Sequence, residues 1–199
     1  VSGTALPAAP RDEPFRQAAE VIRHVQKTEH RYLLHGERYD ERVTPWMPFQ
    51  PAEFLSILFE CVPELAGRNF LDVGCGPGTK MLLAGHFYGL HAEGIEIDSA
   101  MAAAAAAHGG VFPQDALEAV PCFYSVYDLI WLYRPFRDRE LEQQLERRIM
   151  NEMKPGAVLA GGGWEICPAD QRWITVVDDW ELRRGAWLKP RPVTDLAEL

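Results

Sequence analysis

The chain lacks the usual signs of a metal site. Its four cysteines (Cys61, Cys75, Cys122 and Cys167) form no C-x-x-C pair and no zinc-finger spacing. Its six histidines are scattered and none falls in H-E-x-x-H, so no metal is expected. No apolar run approaches the roughly 20 residues that cross a bilayer. No charged-then-apolar leader opens the sequence either, and a reduced, cytoplasmic setting is the expectation. Positive charge is scarce: 20 Lys+Arg against 29 Asp+Glu leave a formal net charge of −9. Lys and Arg contacts to phosphate normally dominate nucleic-acid affinity. The balance therefore argues against a nucleic-acid partner and for a small-molecule or protein one. A Walker loop is missing too, since G-x-x-x-x-G-K-[ST] occurs nowhere.

What the chain does have is concentrated in residues 71–80. An apolar run ending in Asp72 and Val73 enters a loop with glycine at every second position: Gly74, Cys75, Gly76, Pro77, Gly78. Glycine reaches positive φ and lets a ligand approach the backbone closely. A strand followed by such a turn and a helix is where open α/β sheets bind ligands. The dinucleotide fingerprint G-x-G-x-x-G needs a different third spacing, so a nicotinamide-dependent oxidoreductase fits less well. Cys75 reads as a small tolerated side chain in the loop and not as a nucleophile.

Further elements follow in order. Residues 92–97 read as a strand ending at Glu96 and Ile97, and Glu96 lies 18 residues beyond Gly78. A carboxylate at about that separation can accept both ribose hydroxyls. Asp98 is an alternative ribose ligand or the N-cap of the next helix, a role for which Ser99 competes. Asp115 and Ala116 follow a third strand, where Asp115 either caps a short helix or faces the ligand. A fourth apolar run ends at Tyr133-Arg134-Pro135-Phe136, and Lys154-Pro155-Gly156 introduces a fifth.

The D-x-G-x-G-x-G loop with these partners resembles motif I and its successors in the class I S-adenosylmethionine-dependent methyltransferases, closely over residues 70–163. The resemblance implies S-adenosyl-L-methionine as cofactor, with Asp72, Gly74, Cys75, Gly76 and Gly78 forming its loop. It implies Glu96 and Ile97 at the ribose, and Asp115 with Ala116 at the adenine, Leu117 also lining the adenine plane. Members acting on planar amines often carry Asn/Asp/Ser-Pro-Pro-Tyr/Phe where this chain has Tyr133-Arg134-Pro135-Phe136. The polar leader is absent, which argues against a base-specific DNA methyltransferase. Tyr133 and Arg134 remain the weak candidates on the acceptor side, with Glu165 after the fifth strand. Arg134 can grip an anionic group through two parallel hydrogen bonds or form a surface ion pair.

The implied fold is α/β: a single doubly wound Rossmann-like sheet of mostly parallel strands. Strands are expected near 69–73, 92–97, 110–113, 127–133 and 157–162, and helices near 79–89, 99–107, 115–119 and 138–152. Residues 1–13 read as a flexible tail and 14–66 as N-terminal helices with a lid loop. Residues 67–199 read as the cofactor-binding core, one domain overall. In the first helix, Phe15, Ala18, Ala19, Ile22 and Val25 are expected on one side. Tyr39, Trp46 and Phe49 are candidates to cover the ligand, or alternatively to cap the core. Residues 173–177 and 182–188 are expected to close the fold as a shortened antiparallel hairpin turning at Asp178-Asp179. The expected activity is methyl transfer to a small molecule or protein. The alternative is a catalytically silent cofactor-binding partner.

Overall fold

The computed structural model describes residues 13–33, 41–45, 47–61, 67–154, 157–162, 173–174 and 185–188. Five parallel strands form the body of one sheet: β1 (Asn69–Val73), β2 (His91–Ile95), β3 (Gly110–Phe112), β4 (Leu129–Tyr133) and β5 (Val158–Gly162). Each lies within two residues of its expected bounds. Two short strands follow, β6 (Trp173–Ile174) and β7 (Gly185–Leu188). β7 runs antiparallel to both β5 and β6, giving the order β3-β2-β1-β4-β5-β7-β6. They occupy part of the expected spans, and the expected turn at Asp178-Asp179 lies outside the described residues. Of the expected tail over residues 1–13, residues 1–12 lie outside them as well, and Glu13 already belongs to the first helix.

Both faces of the central strands are covered, so their sequences read as nearly continuous apolar runs. Leu71, Val73, Ile130 and Leu132 point to one face, where Leu145 and Ile149 of α5 (Arg139–Glu152) pack. Phe70, Leu129 and Trp131 point to the other. There they meet Val25 of α1 (Glu13–Leu33), Phe54 and Leu58 of α2 (Pro51–Cys61), and Leu83 of α3 (Thr79–Tyr88). Phe54 makes an edge-to-face contact with Trp131 at 4.9 Å between centroids, a geometry that adds to simple area burial.

Two expectations shift. The first-helix face is narrower than its spacing predicts. Val25 is fully buried and Ala18 and Ile22 partly so, but Ala19 faces solvent, and Phe15's side chain lies outside the described set. The face continues instead to Glu29, a buried carboxylate in an apolar position. The expected helix over 115–119 is a single 3-10 turn at Ala116–Glu118, because Pro121 and the strained Cys122 (φ 64) leave it no room to extend. The alanine run does what small side chains allow: α4 (Ser99–Ala105) ends with Ala105 buried against the glycine loop.

The strand order reverses direction between β1 and β4. A crevice opens outside their carboxyl ends, the place where doubly wound sheets hold ligands.

Candidate functional site

Between β1 and α3 the chain turns on three left-handed glycines: Gly74 (φ 71), Gly76 (φ 54) and Gly78 (φ 78). Space as well as backbone angle requires two of them. A Cβ on Gly78 would stand 2.9 Å from the Cα and Cβ of Ala105, and one on Gly74 would touch the Pro135 ring at 3.4 Å. The loop is fastened to β2 by its own amides, since Gly74 and Cys75 both donate to the Ile95 carbonyl, at 2.9 and 3.2 Å.

Glu96 completes the fastening. Its Oε2 accepts the Gly76 N–H at 2.8 Å and its Oε1 accepts the Asp98 N–H at 2.9 Å. Burial pushes the Glu96 carboxyl above its ordinary range, while these backbone donors pull it down. Asp98 caps α4, accepting from Ala100 and Met101 at 2.8 and 2.9 Å. The cap therefore belongs to Asp98 and not to Ser99, and it accounts for Asp98 without a ligand.

Beneath the loop lies a polar group of which sequence reasoning named Asp72 but missed Lys80, Glu29 and Thr79. Asp72 is fully buried and its carboxyl is pushed up to about 6, by burial first, against the pull of Lys80. Lys80 Nζ stands 3.6 Å from Asp72 Oδ2 and 4.9 Å from the centroid of the Phe49 ring. Glu29 of α1 accepts a hydrogen bond from the Thr79 hydroxyl at the start of α3. Burial pushes the Glu29 carboxyl up too. The single cue in the sequence was an acid on the apolar side of the first helix.

A cavity of about 300 Å3 opens above this floor, at the lower end of the range for small-molecule sites. Asp72, Gly74, Glu96, Ile97, Asp115 and Ala116 line it. Cys75, Gly76 and Gly78 do not. Cys75 packs with Met81 and Ala105, where burial raises its thiol well above the usual range, and an unreactive thiol is the result. Leu117 likewise leaves the cavity wall and packs on the core. Asp115 does two jobs at once, accepting the Leu117 N–H at 2.9 Å and pairing with Arg42 at 3.5 Å.

Phe49, Met47, Tyr133 and Arg134 line the cavity as well. Gln50, Glu53 and Trp131 join them there, none of them singled out by motif. Tyr39, Trp46 and Glu165 lie outside the described residues. Residues 41–45 form a strap that is bound to the tip of β4. Val43 bridges Phe136 in antiparallel fashion. Thr44 N–H donates to Pro135 O, and Arg137 N–H to Arg42 O, both at 2.9 Å.

Among the described residues no three His, Cys, Asp or Glu side chains are grouped to hold a metal. No described helix is long and apolar enough to cross a membrane.

No protein-family model matches the chain, and no curated protein sequence matches it. Solved structures do. An RNA methyltransferase from Salinibacter ruber, solved with S-adenosyl-L-homocysteine, superposes with a TM-score of 0.59 at 20% identity. The alignment covers 75% of this chain and 99% of that one. A phosphoethanolamine N-methyltransferase from Haemonchus contortus, solved with S-adenosyl-L-methionine, gives a TM-score of 0.46 at 23% identity. It covers 59% of this chain, which spans 30% of that protein's length.

Proposed function

We propose that this chain, which has the fold of the class I S-adenosylmethionine-dependent methyltransferases, transfers a methyl group from S-adenosyl-L-methionine to a small-molecule or protein acceptor. One observation carries the reading. A left-handed glycine loop, tied to the Glu96 carboxylate, meets a cavity lined by its Gly74 and by Glu96 at the point where the strand order reverses. The donor groups fit an adenosyl ligand. A carboxylate has about four lone-pair sites, and Glu96 spends two on the Gly76 and Asp98 amides, leaving capacity for ribose hydroxyls.

In this reading Asp72 and Gly74 of the loop hold the methionyl side, Glu96 and Ile97 the ribose, and Asp115 with Ala116 the adenine. The bound cofactor supplies an electrophilic methyl carbon on a cationic sulfur. The chain's contribution is orientation: fixing the acceptor in line with that carbon and excluding water supplies much of the rate. S-adenosyl-L-methionine would supply the methyl group with a neutral thioether as leaving group, and the acceptor's proton would pass to solvent or to a nearby base. The face of Phe49, with Met47 and Tyr133, closes the acceptor side, and aromatic faces favour a sulfonium cation. Residues 14–66 then act as lid and substrate wall on the 67–199 core, one domain overall. The last two strands close it as a shortened hairpin, in a cytoplasmic setting.

A second reading is a cofactor-binding partner without catalysis. The observation that favours it is the end of β4, where Tyr133 and Arg134 replace a small polar acceptor.

Calorimetric titration with S-adenosylmethionine and S-adenosylhomocysteine, beside Glu96→Ala, tests the proposal. Binding by the wild type that collapses in the variant supports it, and labelled methyl transfer then separates the two readings. No binding to folded, ligand-free wild type overturns it.

A further inference from the structure

The segment that carries Asp115 and Ala116 to the cavity has little regular structure of its own. Between β3 and β4 the chain forms two short 3-10 turns, Ala116–Glu118 and Phe123–Val126. Turns this short leave backbone carbonyls to be satisfied from elsewhere. Two side chains meet four of them. Tyr124 O–H donates to the Ala116 carbonyl at 2.7 Å. Arg148 of α5 takes the next three: Nη1 donates to the Leu117 carbonyl, and Nη2 donates to those of Ala119 and, at 3.1 Å, Val120.

The brace is itself held in place. Arg148 Nε donates to Glu152 Oε1 at 2.9 Å, one helical turn on, which fixes the plane of the guanidinium. Arg148 Cζ lies 5.6 Å from the centroid of the Tyr124 ring, a cation over an aromatic face. Tyr124 is fully buried, and burial raises its hydroxyl well above the usual range, so it stays a donor. A planar fork reaches several carbonyls at once, which the compact ammonium of a lysine does not.

What the brace steadies is a carboxylate. Asp115 Oδ1 accepts the Leu117 N–H at 2.9 Å, and Oδ2 pairs with Arg42 at 3.5 Å. Leu117 is therefore gripped on both sides, its N–H by Asp115 and its carbonyl by Arg148. A shift of the turn moves Asp115 with it. With about four lone-pair sites, a carboxylate has capacity for a further donor; a carbonyl oxygen in the same place would be repelled. Such discrimination survives displacements of only about 0.5 Å.

We propose that Arg148, working with Tyr124, is a positioning residue for nucleobase selectivity. It holds Asp115 where a 6-aminopurine is accepted and a 6-oxopurine refused. Neither side chain lines the cavity, so the effect passes through the turn. The inference rests on the methyltransferase reading above and deepens it.

Wild type, Arg148→Gln, Tyr124→Phe and Arg147→Gln are titrated calorimetrically with S-adenosylhomocysteine and S-inosylhomocysteine. Wild type is expected to favour the adenosyl ligand roughly tenfold or more, the range of a hydrogen bond to a charged group. In Arg148→Gln the ratio should fall toward unity through weaker adenosyl binding, with inosyl affinity little changed. Tyr124→Phe removes one neutral hydrogen bond and keeps the ring, and should lower the ratio several-fold. Arg147→Gln, at the exposed neighbour on the same helix, should leave it alone. A residue that serves stability alone would weaken both ligands in proportion. That result in Arg148→Gln, or a wild type without preference, overturns the proposal. Where Arg148→Gln does not fold, Tyr124→Phe decides: a lowered ratio supports the proposal and an unchanged one overturns it. Wild type that binds neither ligand removes the methyltransferase reading and this proposal with it. Wild type that binds, with a ratio insensitive to the brace, removes this proposal alone.

Discussion

Glu96 accepts the backbone N–H of Gly76 at 2.8 Å across twenty residues of chain. The acid at the end of β2 and the middle of the glycine loop are thereby one structural unit. The proposed ribose ligand is also the clamp that shapes the loop, and the same carboxylate steadies Asp98, the cap of α4.

Glu96→Gln is the sharpest probe of this unit. The amide keeps size and one acceptor oxygen but loses charge and the second acceptor. Binding of S-adenosylhomocysteine should weaken about 10- to 100-fold, the worth of a charged hydrogen bond. Calorimetry reads it, and a variant with wild-type affinity would separate Glu96 from the ligand.

Glycine substitutions should rank by the space they invade. Gly89→Ala meets nothing within 4 Å and carries only the cost of its positive φ of 64, about 1–2 kcal/mol. Gly78→Ala adds a contact of 2.9 Å with Ala105 backbone and side chain. Gly161→Ala would bring its Cβ to 1.8 Å from the Leu132 carbonyl, inside the β4–β5 pair. The expected loss of Tm rises in that order, with Gly161→Ala the least stable. Thermal unfolding followed by circular dichroism checks the ranking.

Asp72 gives stability a defined pH dependence. Burial pushes its carboxyl up to about 6 in the fold, against an ordinary value of 3.8. The folded state thus binds the proton more tightly than the unfolded chain does. The stability this contributes is complete below pH 3.8 and is lost as pH rises through about 6. Between those limits the wild type should lose at most about 3 kcal/mol relative to Asp72→Asn, at 1.36 kcal/mol per unit. Glu29 and Glu96, also raised by burial, act with the same sign. Urea unfolding of both proteins from pH 4.5 to 7.5, values chosen about that window, shows the difference closing as the acid side is approached. A difference independent of pH would refute the assignment.

Arg42→Ala separates stability from ligand retention. Arg42 is half exposed, and pairs of that kind contribute only about 0–1 kcal/mol, so Tm should barely move. The strap, however, loses its hold on Asp115, and release of S-adenosylhomocysteine in stopped flow should quicken. An unchanged release rate would detach the strap from the site.

The sequence made the core legible because strand and helix alternate with clear punctuation. A glycine loop, an acid at the end of β2 and apolar runs of five residues locate the crevice without any tertiary information. Other parts depend on distances that no local pattern encodes. Glu29 meets Thr79 across 50 residues, and its place on an apolar face is the one hint of burial. Lys80 looks like an ordinary first-turn lysine until Asp72 and Phe49 are found beside it. Arg42 lies in a stretch of mixed charge, and its partner Asp115 is chosen by the way the strap crosses the β4 tip. Periodicity overreached at Ala19 and over 115–119, where packing geometry and a crowded turn decided instead.

The antiparallel bridge between Val43 and Phe136 has a bearing on how such a protein can diversify. Residues before the first strand form one wall of the cavity, while Gly74 and Glu96 form another wall further along the chain. The two walls can therefore drift at different rates. Exchange of residues 41–50 between related chains would re-cut the wall facing Tyr133 and leave the loop's amide geometry intact. The same layout sets a practical boundary. A fragment trimmed to begin at β1 would lose Val25, Phe54 and Leu58 from one face of the sheet and open the cavity along one side, exposing Trp131 to water.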